Sequence, residues 1–133
     1  MDAATNLANF RIITNNPQVA EKYPTVSQFA PDPVEQVFIR CRDRIHQGCR
    51  LITHPLSGSV KPNESPYKSV LISRSGGELD FASLQLIEGA EAVLKKLPRK
   101  HINYTPRMQE DYQVIDLDLV DSAIHSLPAD YHF

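Results

Sequence analysis

The stretch Leu51–Ile72, LITHPLSGSVKPNESPYKSVLI, constrains the fold more than any other part of the chain. Two β-type apolar runs, Leu51-Ile52 and Val70-Leu71-Ile72, bracket a long polar connection. A connection of this length without its own periodicity is uncommon inside a compact domain, and is usually functional or disordered. The runs on either side predict that it is pinned at both ends. Pro55, Pro62 and Pro66 stiffen it by fixing φ. A stiff, polar loop suits recognition of a small ligand, because little entropy is lost on binding. The plainer reading is a loop that covers a sheet edge.

A chain of 133 residues is the length of one domain and can bury a core without disulfides. One α/β domain over 1–133 is therefore expected. With 41% hydrophobic and 23% charged residues, the composition is that of a folded chain. A net charge of −2 gives no general attraction to nucleic acid. The charges are unevenly placed. Arg40–Arg74 carries a net +5, whereas six carboxylates and no Lys or Arg follow Arg107. Internal pairing, self-association into a homo-oligomer and an anion site on the basic half all fit that asymmetry.

Cys41 and Cys49 are the only cysteines, and they form no CxxC or CxxH group. A zinc site is not expected, and neither is a cofactor. The amino-terminal MDAATNLANF has no basic or apolar signal region, and no run approaches the length of a membrane span. These features predict a cytoplasmic protein with reduced thiols and no membrane partner.

Phe10–Thr14 reads as a strand. Asn16 before Pro17 reads as the cap of a short helix over Pro17–Lys22. Thr25–Phe29 is a weak second strand. Asp32-Pro33-Val34-Glu35 reads as a capping box, so Asp32→Ala should cost about 0.5–2 kcal/mol. Val34, Val37, Phe38, Cys41 and Ile45 follow helical spacing, and Gly48 ends that helix. This stripe makes Cys41 a core residue. Cys49–Thr53 and Ser69–Ser73 are the next strands. Asp80 caps a helix over Phe81–Leu97, stopped by Pro98. Pro98–Pro106 reads as loop and Tyr112–Leu117 as a strand or extended lead-in. Asp118 then caps a last helix. Asp116, Asp118 and Asp121 lack the glycine and terminal Glu of a calcium loop, so capping explains them better. Alternating strands and helices predict a single-domain, three-layer α/β sandwich with a mostly parallel sheet.

In such sheets ligands bind at the carboxyl ends of the strands. Two polar segments fall there. Thr14, Asn15 and Asn16 stand at a helix amino terminus, which favours an anion. His54, Ser57, Gly58, Ser59, Lys61, Asn63, Tyr67 and Lys68 follow the third strand. Ser57-Gly58-Ser59 can turn donors toward an anion, and Lys61 adds charge. Neither GxxxxGK[ST] nor GxGxxG occurs. His54 is the best-placed acid, base or anion donor; the plainer reading is a ring that only ties down the Pro55 turn. Ser57 lacks a GxSxG elbow, and the histidines lack metal-ligand spacing, so a serine hydrolase and a metal site are poorly supported.

TNNP, RDRIHQGCRLITHPLSGSVKPNESPYKSVLIS and VIDLDLVDSAI resemble the GrdX family. Proteins of that family are encoded beside the selenium-dependent glycine, sarcosine and betaine reductases. The resemblance implies an accessory or regulatory role in amino-acid reduction, with reductase components as partners. It transfers no catalytic residue. Three functions follow. The first is an accessory protein binding a small anionic metabolite at the Asn15/His54/Ser57 site. The second is a small transferase or hydrolase acting on a phosphorylated or carboxylated metabolite, with His54 as acid–base. The third is a protein–protein interaction module.

Overall fold

A computed structural model describes residues 8–58, 63–74, 76–97, 102–128 and 131. Strand β1 is Phe10–Thr14, helix α1 Pro17–Lys22, strand β2 Ser27–Phe29 and helix α2 Val34–His46. Strand β3 is Ser69–Ser73, followed by helices α3, Phe81–Lys96, and α4, Pro106–His125. The three strands form one mixed sheet in the order β2-β1-β3. β1 pairs parallel with β2 and antiparallel with β3, with Thr14 opposite Ser69. Alternation along the strands sends side chains to opposite faces. On one face Ile13, Val70 and Ile72 pack against Phe38 of α2 and Ile87 of α3. On the other, Phe10, Ile12 and Leu71 pack against Val19 of α1 and Val120 of α4. Burying side chains of this size stabilises the fold by about 1.5–3 kcal/mol each, against about 1 kcal/mol for a typical cap.

The expected mostly parallel sheet is corrected: one of its two pairings is antiparallel. The reason lies in the chain after α2. Leu51 makes only an isolated antiparallel bridge to Ile72, so Cys49–Thr53 is not a strand of the sheet. Ser73 N–H donates to Arg50 O, Ile52 and Thr53 N–H donate to Leu71 O, and hydroxyls serve two further N–H groups. Leu71 N–H donates to Thr53 Oγ1, and Arg50 N–H donates to Ser73 Oγ. The loop then brings the chain back as β3. Without a crossover helix, a returning strand enters antiparallel to the segment it has just left.

Asn16 and Asp80 cap α1 and α3 as their sequences predict, accepting from the N–H groups of Gln18 and Ser83. The Asp32 capping box is not formed. Pro33 is the cap residue of α2, with no side-chain bond, and Asp32 instead lies 3.8 Å from Arg40. Such a half-exposed pair is worth about 0–1 kcal/mol, less than the cap expected of it. The largest correction is α4. Tyr112–Leu117 is helical, Asp118 caps nothing, and Thr105 caps the helix by accepting from Met108 N–H. Cys41 is fully buried, as its stripe predicts, and burial pushes its thiol up to about 12.

Two glycines make opposite demands. Gly48 ends α2 at φ +96°, and a Cβ there would lie 2.4 Å from Gly77 O. Gly89 lies mid-helix in α3 with nothing within 4 Å of its Cβ position. Gly48→Ala should therefore destabilise by more than about 1 kcal/mol. Gly89→Ala should stabilise by about 0.5–1 kcal/mol. Urea denaturation midpoints of the two variants check both signs.

Candidate functional site

The carboxyl end of β1 and the amino end of β3 share one sheet edge, and polar side chains fill it. Asn16 N–H donates to Thr14 Oγ1 at 2.9 Å. Thr14 Oγ1 and Ser69 Oγ lie 2.7 Å apart, and Ser69 Oγ donates to Asp116 Oδ2 at 2.7 Å. A hydroxyl has one proton, so the direction is set: Thr14 donates to Ser69, and Ser69 to the carboxylate. Asn16 Nδ2 donates to the same Oδ2 at 3.0 Å and to Gln113 O at 2.9 Å. Its Oδ1 accepts the Gln18 N–H, so Asn16 both caps α1 and ties it to α4.

Asn15 performs the same work on the loop. Its Nδ2 donates to Asp32 O at 2.8 Å and Pro66 O at 2.9 Å, while Oδ1 accepts the Lys68 N–H at 2.8 Å. Thr14, Asn15 and Asn16 are all buried. Their polar atoms are committed to structure, as buried polar groups usually are.

A cavity opens beside this edge, between the loop, α2 and α4. Its empty space, mouth included, is about 470 Å³. Val34 and Phe38 come from α2, Pro55 and Leu56 from the loop, and Ile115 and Leu119 from α4. Polar groups enter through Ser57, Tyr67, Lys68 and Asp116. Gly58 also lines it at φ +122°, where a Cβ would meet Leu119 Cδ1 at 3.0 Å; glycine lets the loop turn against α4. Lys68, Asp116, Ser57 and Leu119 line a second hollow of about 290 Å³ as well, so they form the wall between the two.

Lys68 Nζ donates to Ser57 O at 2.7 Å, which uses one of its three protons. Burial pushes the Lys68 ammonium below its usual range, and the nearby Asp116 opposes that shift. Burial pushes Asp116 up, against the hydrogen bonds from Asn16 and Ser69 and the charge of Lys68. Among the described residues no direct ion pair joins Lys68 to Asp116. Tyr67 OH accepts from Gln113 Nε2 at 2.8 Å and keeps its own proton to donate.

Residues 11–125 match the family described as GrdX-like protein. The chain belongs to the GrdX-like family. The match covers nearly all of β1 and every later helix and strand to the end of α4. No curated protein and no solved structure matches the chain significantly.

In this GrdX-like chain the expected site residues divide into three groups. Ser57, Gly58, Tyr67 and Lys68 line the cavity. Thr14, Asn15 and Asn16 stand behind it as its frame, and Asn15 reaches the loop through the Lys68 backbone. His54 is exposed outside the lining, where its Nδ1 accepts the Leu56 N–H across the Pro55 turn. Asn63 is half-buried in a turn, also outside the lining. Ser59 and Lys61 lie outside the described residues.

Asp116, Tyr112, Ile115 and Leu119 were not expected at the site. The signal for Asp116 is its place on the stripe of Val120 and Ala123, one turn and two turns away. An acid on an apolar face is more informative than an exposed one. Among the described residues no group of three His, Cys, Asp or Glu could hold a metal ion. No helix of these residues is long and apolar enough to cross a membrane.

Removing Asn16 takes away a cap and one of the donors to a buried carboxylate. Asn16→Ala should destabilise by about 2–4 kcal/mol, measured by urea denaturation. A second expectation concerns pH. The folded Asp116 binds its proton more tightly than an unfolded carboxyl at 3.8, so its ionisation works against the fold. As pH rises from 3.8 through the raised value, this group lowers stability, and above that value its effect is constant. Asp116→Asn should remove that component of the slope, seen as the difference between the two chains' stability–pH curves.

Proposed function

We propose that this chain is a ligand-binding accessory protein of the glycine, sarcosine and betaine reductase system. Its ligand is a small molecule with an apolar body and an anionic head, seated in the cavity between the loop, α2 and α4. The observation that carries this reading is Lys68 in an otherwise largely apolar wall. Its ammonium is partly desolvated, anchored by one hydrogen bond, and has donors left over. An anion placed there relieves the desolvation of the lysine and gains a charge-assisted hydrogen bond. Tyr67 adds a second donor. Largely apolar pockets with a few convergent polar groups are typical of small-molecule sites. Family membership supports the link to the reductases; the cavity supports the ligand class.

An enzyme of the transferase or hydrolase class on the same head group is the second reading. What favours it is the opposed displacement of two groups in one wall, Asp116 upward and Lys68 downward. Such pairs mark acid–base sites more often than plain surfaces do. His54 stands outside this wall, so in this reading the acid–base role falls to Asp116.

Thermal-shift measurements with small carboxylates and phosphorylated metabolites test the binding reading. A true ligand at 100 times its Kd should add about 2.7 kcal/mol of stability to the wild-type chain. Lys68→Met, which keeps the buried stem and removes the charge, should lose that gain. A screen with no shift for any anion would sink the reading.

A further inference from the structure

We infer that the cavity selects a zwitterion of the α-amino-acid type, whose carboxylate meets Lys68 and whose ammonium meets Asp116. The inference rests on the binding reading above and adds the second charge to it. Both charged groups line one cavity whose remaining wall is largely apolar. They are of opposite sign, and no direct ion pair joins them among the described residues. Holding a buried carboxylate and a half-buried ammonium apart is costly, because each loses water without gaining the other.

The occupant that removes this cost carries both complementary charges. A plain anion pairs with Lys68 but confronts the Asp116 carboxylate. A plain amine pairs with Asp116 but confronts the Lys68 ammonium. Only a ligand with both groups close together satisfies the two at once. The hydrogen bonds of Asp116 leave room for this. The side chains of Asn16 and Ser69 donate to Oδ2 and the Ser69 N–H adds a third donor, yet a carboxylate with about four lone-pair sites can accept one more. On the other side, Lys68 Nζ spends one proton on Ser57 O and keeps two. Val34, Phe38, Leu56, Ile115 and Leu119 offer an aliphatic or aromatic side chain its surroundings.

Titration calorimetry of the full chain with three isosteric probes tests this: leucine, 4-methylpentanoate, which lacks the amine, and 3-methylbutylamine, which lacks the carboxylate. Leucine should bind, and each analogue should bind about tenfold or more weakly, the worth of one charge-assisted hydrogen bond. In Lys68→Met, leucine should fall to the affinity of the amine. In Asp116→Asn, whose amide oxygen still accepts from Asn16 and Ser69, leucine should lose its advantage over 4-methylpentanoate. The three-probe comparison on the unaltered chain stands even where a variant folds poorly. If 4-methylpentanoate binds as tightly as leucine, the zwitterion is overturned and the anion reading survives. The same holds if leucine does not bind while an anion from the thermal screen does. An amine that binds as tightly as leucine, or silence from every probe and every anion, overturns both.

Discussion

The carboxylate of Asp116 is where the separate parts of this fold meet. It sits on α4, is 6% exposed, and accepts from Asn16 and Ser69 on a single oxygen. Behind Ser69 stands Thr14, and behind Thr14 the Asn16 N–H. A chain of hydroxyls needs an acceptor at its end that has no proton to offer, and an ionised carboxylate is such a group. The end of β1, the start of β3, the first turn of α1 and the middle of α4 are all registered by this one group. Burial raises the free energy of its charge, and the donors around it offset only part of that. A group costly to bury, yet central to the arrangement, fits a part in function as well as in folding.

The second dependence is that of Lys68 on the path of the loop. A crossover helix after Thr53 would have carried the chain away and returned it parallel. The loop instead doubles back, and β3 begins opposite the end of β1, with Thr14 facing Ser69. Lys68 immediately precedes β3, so the antiparallel return sets it in the same wall as Asp116. Asn15 fixes that junction from both sides, accepting the Lys68 N–H while its own N–H donates to Lys68 O. The cavity is thus a consequence of topology: loop, α2 and α4 converge where the sheet edge ends.

The charge asymmetry of the chain resolves locally. Arg42 pairs with Glu91 and Lys22 with Asp121, at 2.9 and 2.8 Å. Asp121 also accepts from Tyr23, whose hydroxyl is pushed upward by burial and by that carboxylate. Of the acids on α4, Asp121 thus meets α1 and Asp116 meets both α1 and the sheet edge, while Glu110, Asp111 and Asp118 are exposed. The acids of α4 do not meet the basic segment as one block against another. Asp116 beside Lys68 is the point where the two halves come within electrostatic reach.

Local chemistry was legible wherever a residue acts on its own neighbours. Asn16-Pro17 and Asp80 announce their helices because a cap bonds two or three residues ahead. The stripe of α2 and the β-type runs of β1 and β3 show their buried faces by period alone. Thr105-Pro106 carries the same cap signal as Asn16-Pro17, but the β-type residues Tyr112, Val114 and Ile115 obscured the helix it begins. Asp32-Pro33-Val34-Glu35 has the residues of a cap and none of its bonds, because Arg40 lies near its carboxylate and Asn15 binds its carbonyl. The sequence by itself determined β1, β3 and the first three helices, the core stripes and the polar loop that holds half of the site. Only tertiary structure decided the direction of β3 and the meeting of Lys68 with Asp116. Those two residues are 48 positions apart, and no periodicity or cap reaches that far. Their proximity depends on which way the loop returns and which face of α4 packs, and both are settled by packing across the whole sheet.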